Sequence, residues 1–222
     1  MNTSTTPGLR QRLGYHPVLL GAAVLVTSAI LFYTNIETRD KIALRMEEDL
    51  QASLAQVVPP SLYDNQILKD TVTIRGKDVS GKPNQTIYYR ARMHGKIVAF
   101  AFPAVAYGYS GEIDMIMGVD THGTLLGVRI IAHAETPGLG DKIETGKSDW
   151  ILGFKGKSLT DPGDNKWAVK KDGGVFDQFT GATITPRGVV AGIHYGLEEF
   201  AAHRQQLLDD ATGNDGSDTD GK

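Results

Sequence analysis

Residues 177–186 read Asp177-Gln178-Phe179-Thr180-Gly181-Ala182-Thr183-Ile184-Thr185-Pro186, and a strongly patterned helix follows them. The spacing predicts Thr185 as N-cap and places Pro186 in the first turn, where its missing N–H costs nothing. Ile184 and Val189 stand at the positions of a hydrophobic staple. If 183–185 is extended, Ile184 points inward and the hydroxyls of Thr183 and Thr185 point the other way. A helix N-terminus offers free N–H groups and a positive dipole end, so an anion such as phosphate would be well placed beside Thr183. Arg187 opposes that dipole unless an anion lies close by. From local spacing alone the stretch is a helix cap. Beyond it, Val189, Val190, Ile193, Leu197, Phe200, Ala201, Arg204 and Leu208 mark one helical face.

Working back from that helix, the chain is rich in strands. Residues 86–93 (TIYYRARM) and 96–104 (KIVAFAFPA) are β-rich runs joined at His94-Gly95, a tight hairpin. Residues 112–119 and 124–132 form a second hairpin around Asp120-Thr121-His122-Gly123. Between them lies the glycine-punctuated link Tyr107-Gly108-Tyr109-Ser110-Gly111. Glu135-Thr136-Pro137-Gly138-Leu139-Gly140 cannot be regular structure, and its glycines let backbone approach a flat ligand closely. A short helix is expected over 148–153 and a turn at 161–165. Strands first, with helices placed around them, give an α+β domain over 60–208.

The N-terminal region is different. Residues 1–14 form a short polar tail. The uncharged run 18–33, extended by Tyr15, His16 and Thr34, approaches the ~20 residues that a bilayer span requires and sets the span at 15–35, with Tyr15, Phe32 and Tyr33 at the two interfaces. No small-x-small cleavage site follows, so the span reads as a retained single-pass transmembrane helix. Counts of Lys and Arg on its two sides leave its orientation open. Residues 36–59 continue as a juxtamembrane helix, with Met46, Leu50, Leu54 and Val57 on one stripe until Pro59-Pro60. That stripe suits either packing on its own domain or contact with a membrane partner. Residues 209–222 are acidic and poor in apolar residues, the composition of a disordered tail.

Composition narrows the chemistry. A net charge of −3 without a basic stripe gives no support for nucleic acid as a partner. With no cysteine, disulfides, thiol catalysis and Cys-ligated clusters are excluded. The six histidines show no metal-site spacing and are expected to be exposed or structural, so no metal is predicted. Nucleophile-elbow, Walker A and GxGxxG sequences are missing, which leaves hydrolase and nucleotide-triphosphatase readings unsupported.

Taken together, His133-Ala134-Glu135-Thr136-Pro137-Gly138-Leu139-Gly140 and the 177–183 stretch carry a resemblance that neither carries alone. The chain resembles the family of covalently flavinylated FMN-binding domains, and within it the G subunits of Rnf ion-translocating electron transport complexes. The likeness covers nearly the whole chain. It implies FMN joined by a phosphoester to Thr183, the last threonine of a D-x-x-[ST]-G-A-T signature that includes Thr180. A periplasmic flavin transferase would install it, which implies a bacterial inner-membrane protein with a cytoplasmic tail and a periplasmic domain. By the same resemblance Glu135, Thr136 and Leu139 would border the ring, and Gly181, Ala182 and Ile184 would line the attachment side. Lys142 is expected as a cation that raises the flavin potential, and Arg187 as a counter-charge for the phosphate. The implied partners are the other Rnf subunits (A, B, C, D and E), the implied process ferredoxin/NAD-linked electron transfer coupled to movement of sodium ions or protons. Two alternatives stand beside it: the C subunit of the sodium-pumping NADH:quinone reductase, and a membrane-anchored assembly or interaction protein whose flavin site is unused.

Overall fold

The computed structural model describes residues 15–77, 80–81 and 83–209; the N-terminal tail at 1–14 and the acidic stretch from 210 onward lie outside the described residues. The chain divides into two compact units between Asp49 and Leu50. In the first, helix α1 (Tyr15–Val57) begins, and its segment His16–Arg39 is long and apolar enough to cross a membrane. Its large apolar side chains, among them Leu25, Leu31 and Phe32, are exposed. The hydroxyls of Thr27 and Thr34 donate to carbonyls four residues back, at 2.7 and 2.8 Å, so these polar groups need no water. The helix runs on past residue 35 without a break, so the expected span and juxtamembrane helix are one element.

The second unit is built on five antiparallel strands in sequential order: β1 (Thr71–Lys77), β2 (Pro83–Met93), β3 (Lys96–Tyr107), β4 (Glu112–Asp120) and β5 (Leu125–His133). Both expected hairpins are present. His94 and Gly95 take positive φ of 51° and 77°, the twist a two-residue hairpin turn needs. Asp120 closes the other turn by accepting the His122 and Thr124 amides through Oδ1, both at 2.8 Å. Strand β1 was not expected, although Val72 and Ile74 alternate with polar residues in the manner of a half-buried strand.

The two faces of the sheet are sorted by side-chain size. On β3, Phe100 and Phe102 point to one side and meet Phe200 and the rest of α2 (Ile184–Leu208). Ala99 and Ala101 point to the other, where Leu54, Val57 and Val58 at the end of α1 pack on them. Small residues are required there: a Cβ on Gly118 would come within 2.3 Å of the Val57 carbonyl oxygen. Leu50, Leu54 and Val57 of the apolar stripe therefore serve their own domain, while Met46 is exposed.

Helix α2 lies on β3 through glycines four residues apart. A Cβ on Gly196 would meet Met117, one on Gly192 would lie 2.8 Å from the Ala106 Cβ, and one on Gly188 would lie 1.9 Å from the Tyr107 carbonyl oxygen. Four helical residues rise ~6 Å and two strand residues about 6.6 Å, so each glycine advances in step with the strand. This stripe fixes the start of α2 against the end of β3. Of the residues expected on its inner face, Ala201 and Arg204 are exposed, and Leu207 is buried instead.

Candidate functional site

Three short segments converge where β3 ends and α2 begins. The link 108–111 leaves β3, the loop 135–140 leaves β5, and the turn 179–183 leads into α2. Aromatic packing holds that turn: Phe179 meets Trp150 edge-on at 5.1 Å between ring centroids, and the Trp150 indole N–H donates to the Asp177 carbonyl at 2.8 Å. Trp150 in turn packs on Phe154, which stacks on Phe176 at 4.5 Å. Gly181 then reverses the chain with φ of 83°, a conformation that glycine adopts without strain. The Ala182 amide closes the turn on the Phe179 carbonyl at 3.2 Å.

Thr185 is not the cap that local spacing predicts. Helix α2 begins at Ile184, two residues earlier than a Thr185 cap would place it, with Thr183 in the cap position and already helical at φ −75° and ψ −26°. Thr183 makes no side-chain cap bond. The Thr185 hydroxyl is fully buried and donates to Oε2 of Glu135. With 183–185 helical rather than extended, Ile184 turns outward, 48 % exposed, and the staple with buried Val189 does not form. Pro186 still sits within the first turn, where it forfeits no helical bond.

Glu135 is the knot of the site. It is 6 % exposed; its Oε1 accepts the Ser110 amide at 2.9 Å, and its own amide donates to His133 Nδ1 at 3.0 Å. A Cβ at Gly108 or Gly140 would fall within 2.3 or 2.5 Å of the carboxylate, so two glycines make room for it. One side chain thereby joins the 108–111 link, the 135–140 loop and the first turn of α2. The helix N-terminus, with its positive dipole end, helps a buried carboxylate there.

Around this knot opens a cavity of about 510 Å³ lined by Tyr109, Glu135, Thr136, Leu139, Gly140, Gly181, Ala182, Thr183, Ile184 and Thr185. Six residues expected at the site thus line one space: Thr136, Leu139, Gly181, Ala182, Thr183 and Ile184. Glu135 lines it too, with its carboxylate committed to the protein. The two loops face each other across it, since a Cβ on Gly181 would lie 3.6 Å from Leu139 Cδ2. Tyr109, 73 % exposed, forms part of its wall and was not anticipated. Its place in a glycine-flanked link between two hairpins was the available signal.

Three expected residues stand outside the cavity. Thr180 is exposed on the turn, and Lys142, half-buried two residues after Gly140, is not among the lining residues. Arg187 forks onto Asp172, Nε to Oδ2 at 2.5 Å and Nη2 to Oδ1 at 2.6 Å. Its charge at the helix start is thus answered by a carboxylate of the protein. The hydrogen bond from Arg187 holds the Asp172 carboxyl below its usual range. A depressed carboxylate stabilises the fold above its unfolded pKa, and that contribution disappears as pH falls through the lower folded value. Asp172 should therefore titrate below the ordinary value of ~3.9 when followed by carboxyl NMR, and Arg187→Ala should return it to that range.

An FMN-binding domain family model matches residues 108–198, which contain every residue of the cavity. In Cereibacter sphaeroides, the G subunit of the ion-translocating oxidoreductase complex is 51 % identical over 86 % of this chain and 85 % of its own length. The corresponding protein of Pseudomonas aeruginosa is 45 % identical, over 90 % of this chain and 94 % of its own. Among solved structures, that of Shewanella oneidensis NqrC aligns with a TM-score of 0.47 and 26 % identity, covering 70 % of this chain and 73 % of that one.

Proposed function

This chain belongs to the family of G subunits of ion-translocating oxidoreductase complexes, and we propose on that footing that it is the complex's membrane-anchored electron relay, carrying FMN through a phosphoester on Thr183. The single observation that carries this reading is the hydroxyl of Thr183, free of any cap bond, at the edge of a cavity inside the FMN-binding domain.

The residues present fit such a group. The cavity falls in the ~300–1,000 Å³ range of small-molecule and cofactor sites. Tyr109, Leu139 and Ile184 supply apolar walls for a planar ring, and all three keep large exposed surface that a ligand could cover. In the first turn of α2 the Pro186 nitrogen carries no hydrogen and the Arg187 amide donates to the Thr183 carbonyl. The Ile184 and Thr185 amides are thus the ones a helix start does not bond internally, next to a phosphate on the adjoining threonine. When bound, FMN supplies the electron transfer. The protein's own part is to hold it, to exclude water along its walls and to set its electrostatic surroundings. No residue is needed as general acid or base.

The finer points follow the same reading. α1 anchors the chain in the bacterial inner membrane, the FMN domain lies on the periplasmic side, and a flavin transferase there attaches the cofactor. The remaining members of the complex exchange electrons with it, and the complex couples transfer between ferredoxin and NAD to movement of sodium ions or protons. Family membership favours this over the C-subunit alternative. A flavin site that is present but unused is separated by experiment: full-length protein from a host with the transferase should show a flavin-fluorescent band after denaturing electrophoresis, and protein from a host without it should not. A dark band from both hosts would leave only the assembly reading.

A further inference from the structure

The charge around the cavity is opposite to what the sequence led us to expect. Among the described residues, no Lys, Arg or His lines it, and its one carboxylate is Glu135. Lys142 stands outside the lining and Arg187 is bound by Asp172. His133, the nearest imidazole along the chain, accepts the Glu135 amide on Nδ1, so that nitrogen carries no proton. Its Nε2 is paired with Glu144 Oε1 at 2.8 Å. Both Glu135 oxygens accept from neutral donors, the Ser110 amide and the Thr185 hydroxyl. Among the described residues no ion pair includes Glu135. Those two donors and the dipole end of α2 offset part of its charge.

We infer that Glu135, besides tying the loops together, holds down the reduction potential of the flavin bound in this cavity. The inference rests on the FMN reading above. Full reduction of a flavin adds two electrons and up to two protons. A fixed negative charge in a poorly solvated wall opposes the added electrons, because Coulomb interactions there are screened far less than in water. Glu135 neither gains nor loses a proton or an electron in this role. It is a fixed anion, set where Lys142 was expected to act as a cation.

Glu135→Gln tests this with little change of shape. Its amide oxygen can still accept the Ser110 N–H, and its NH₂ can donate to the Thr185 hydroxyl. In the full-length, flavin-loaded chain, the variant should favour the reduced flavin on the order of tenfold more than wild type. Tenfold is ~30 mV upward for a two-electron couple in spectroelectrochemical titration. Thr185→Val removes the hydrogen bond but keeps the charge, and should leave the midpoint unchanged or lower it. An unchanged or lower midpoint in Glu135→Gln overturns the inference. So does an upward shift shared by both variants, which would report altered packing. A Glu135→Gln chain that fails to fold or to hold flavin also overturns it, since the charge would then serve the architecture. Wild-type protein lacking covalent flavin would instead sink the FMN reading itself, and that result is read before any potential is measured.

Discussion

Thr183→Ala should abolish covalent flavin completely while leaving the fold at nearly wild-type stability. The two halves of this expectation come from one geometry. Thr183 makes no side-chain cap bond, is half-buried and lines the cavity, so removing its hydroxyl breaks no described contact. An ordinary N-cap threonine would cost ~1 kcal/mol on such a change. Thr185→Ala should behave in the opposite way. Its buried hydroxyl serves Glu135, so its loss leaves a buried carboxylate oxygen short of a donor at a cost of ~1–3 kcal/mol. That variant should still carry flavin. The pair is read by flavin fluorescence on denaturing gels together with urea unfolding. Flavin retained in Thr183→Ala and lost in Thr185→Ala would reassign the attachment point.

The second large effect is structural. Gly188→Ala should destabilise the domain on the order of 3 kcal/mol, although alanine in an exposed helix is better than glycine by about 1 kcal/mol. The added Cβ would fall 1.9 Å from the Tyr107 carbonyl oxygen and 2.8 Å from its carbon. Both are backbone atoms at the end of β3, so no side chain can move aside. Helix α2 must lift away from the strand, and its first turn must move relative to Tyr109 and Glu135. Flavin loading should therefore fall together with stability. Gly146→Ala is the matched control, because nothing lies within 4 Å of the Cβ it would add. Its stability in urea should stay within ~0.5 kcal/mol of wild type. Equal midpoints for the two variants would show that the helix does not depend on this close approach.

What could be read from the chain follows the range of each interaction. The two hairpins were legible because their turns are local: His94-Gly95 and the Asp120–Gly123 turn carry their own geometry. The extent of α2 was legible to within two residues from its apolar repeat. Thr185 was misread because its partner, Glu135, is 50 residues away, and a Thr-Pro pair looks the same whether the hydroxyl caps a helix or holds a distant carboxylate. The Asp172 partner of Arg187 was missed for a related reason. The misfit of a cation at a helix start was real, but the anion that answers it is Asp172, and nothing local chooses between a carboxylate and a phosphate. The glycines at 188, 192 and 196 were not singled out in the sequence, because only the strand beneath them gives their spacing of four meaning. The convergence of the two motifs on one cavity was implied by family resemblance and is now supported by position: Leu139 faces Gly181 across it.

Everything proposed for the cavity depends on where the flavin is attached. Trypsin should release residues 172–187 as one peptide, bounded by Lys171 and Arg187 and containing Thr180, Thr183 and Thr185. Tandem mass spectrometry of that peptide, from protein made with the flavin transferase, should find an FMN-sized mass increase in fragments that include Thr183. Fragments carrying only Thr180 or only Thr185 should be unmodified. An unmodified peptide, or one with the increase on either of the other two threonines, would contradict attachment at Thr183.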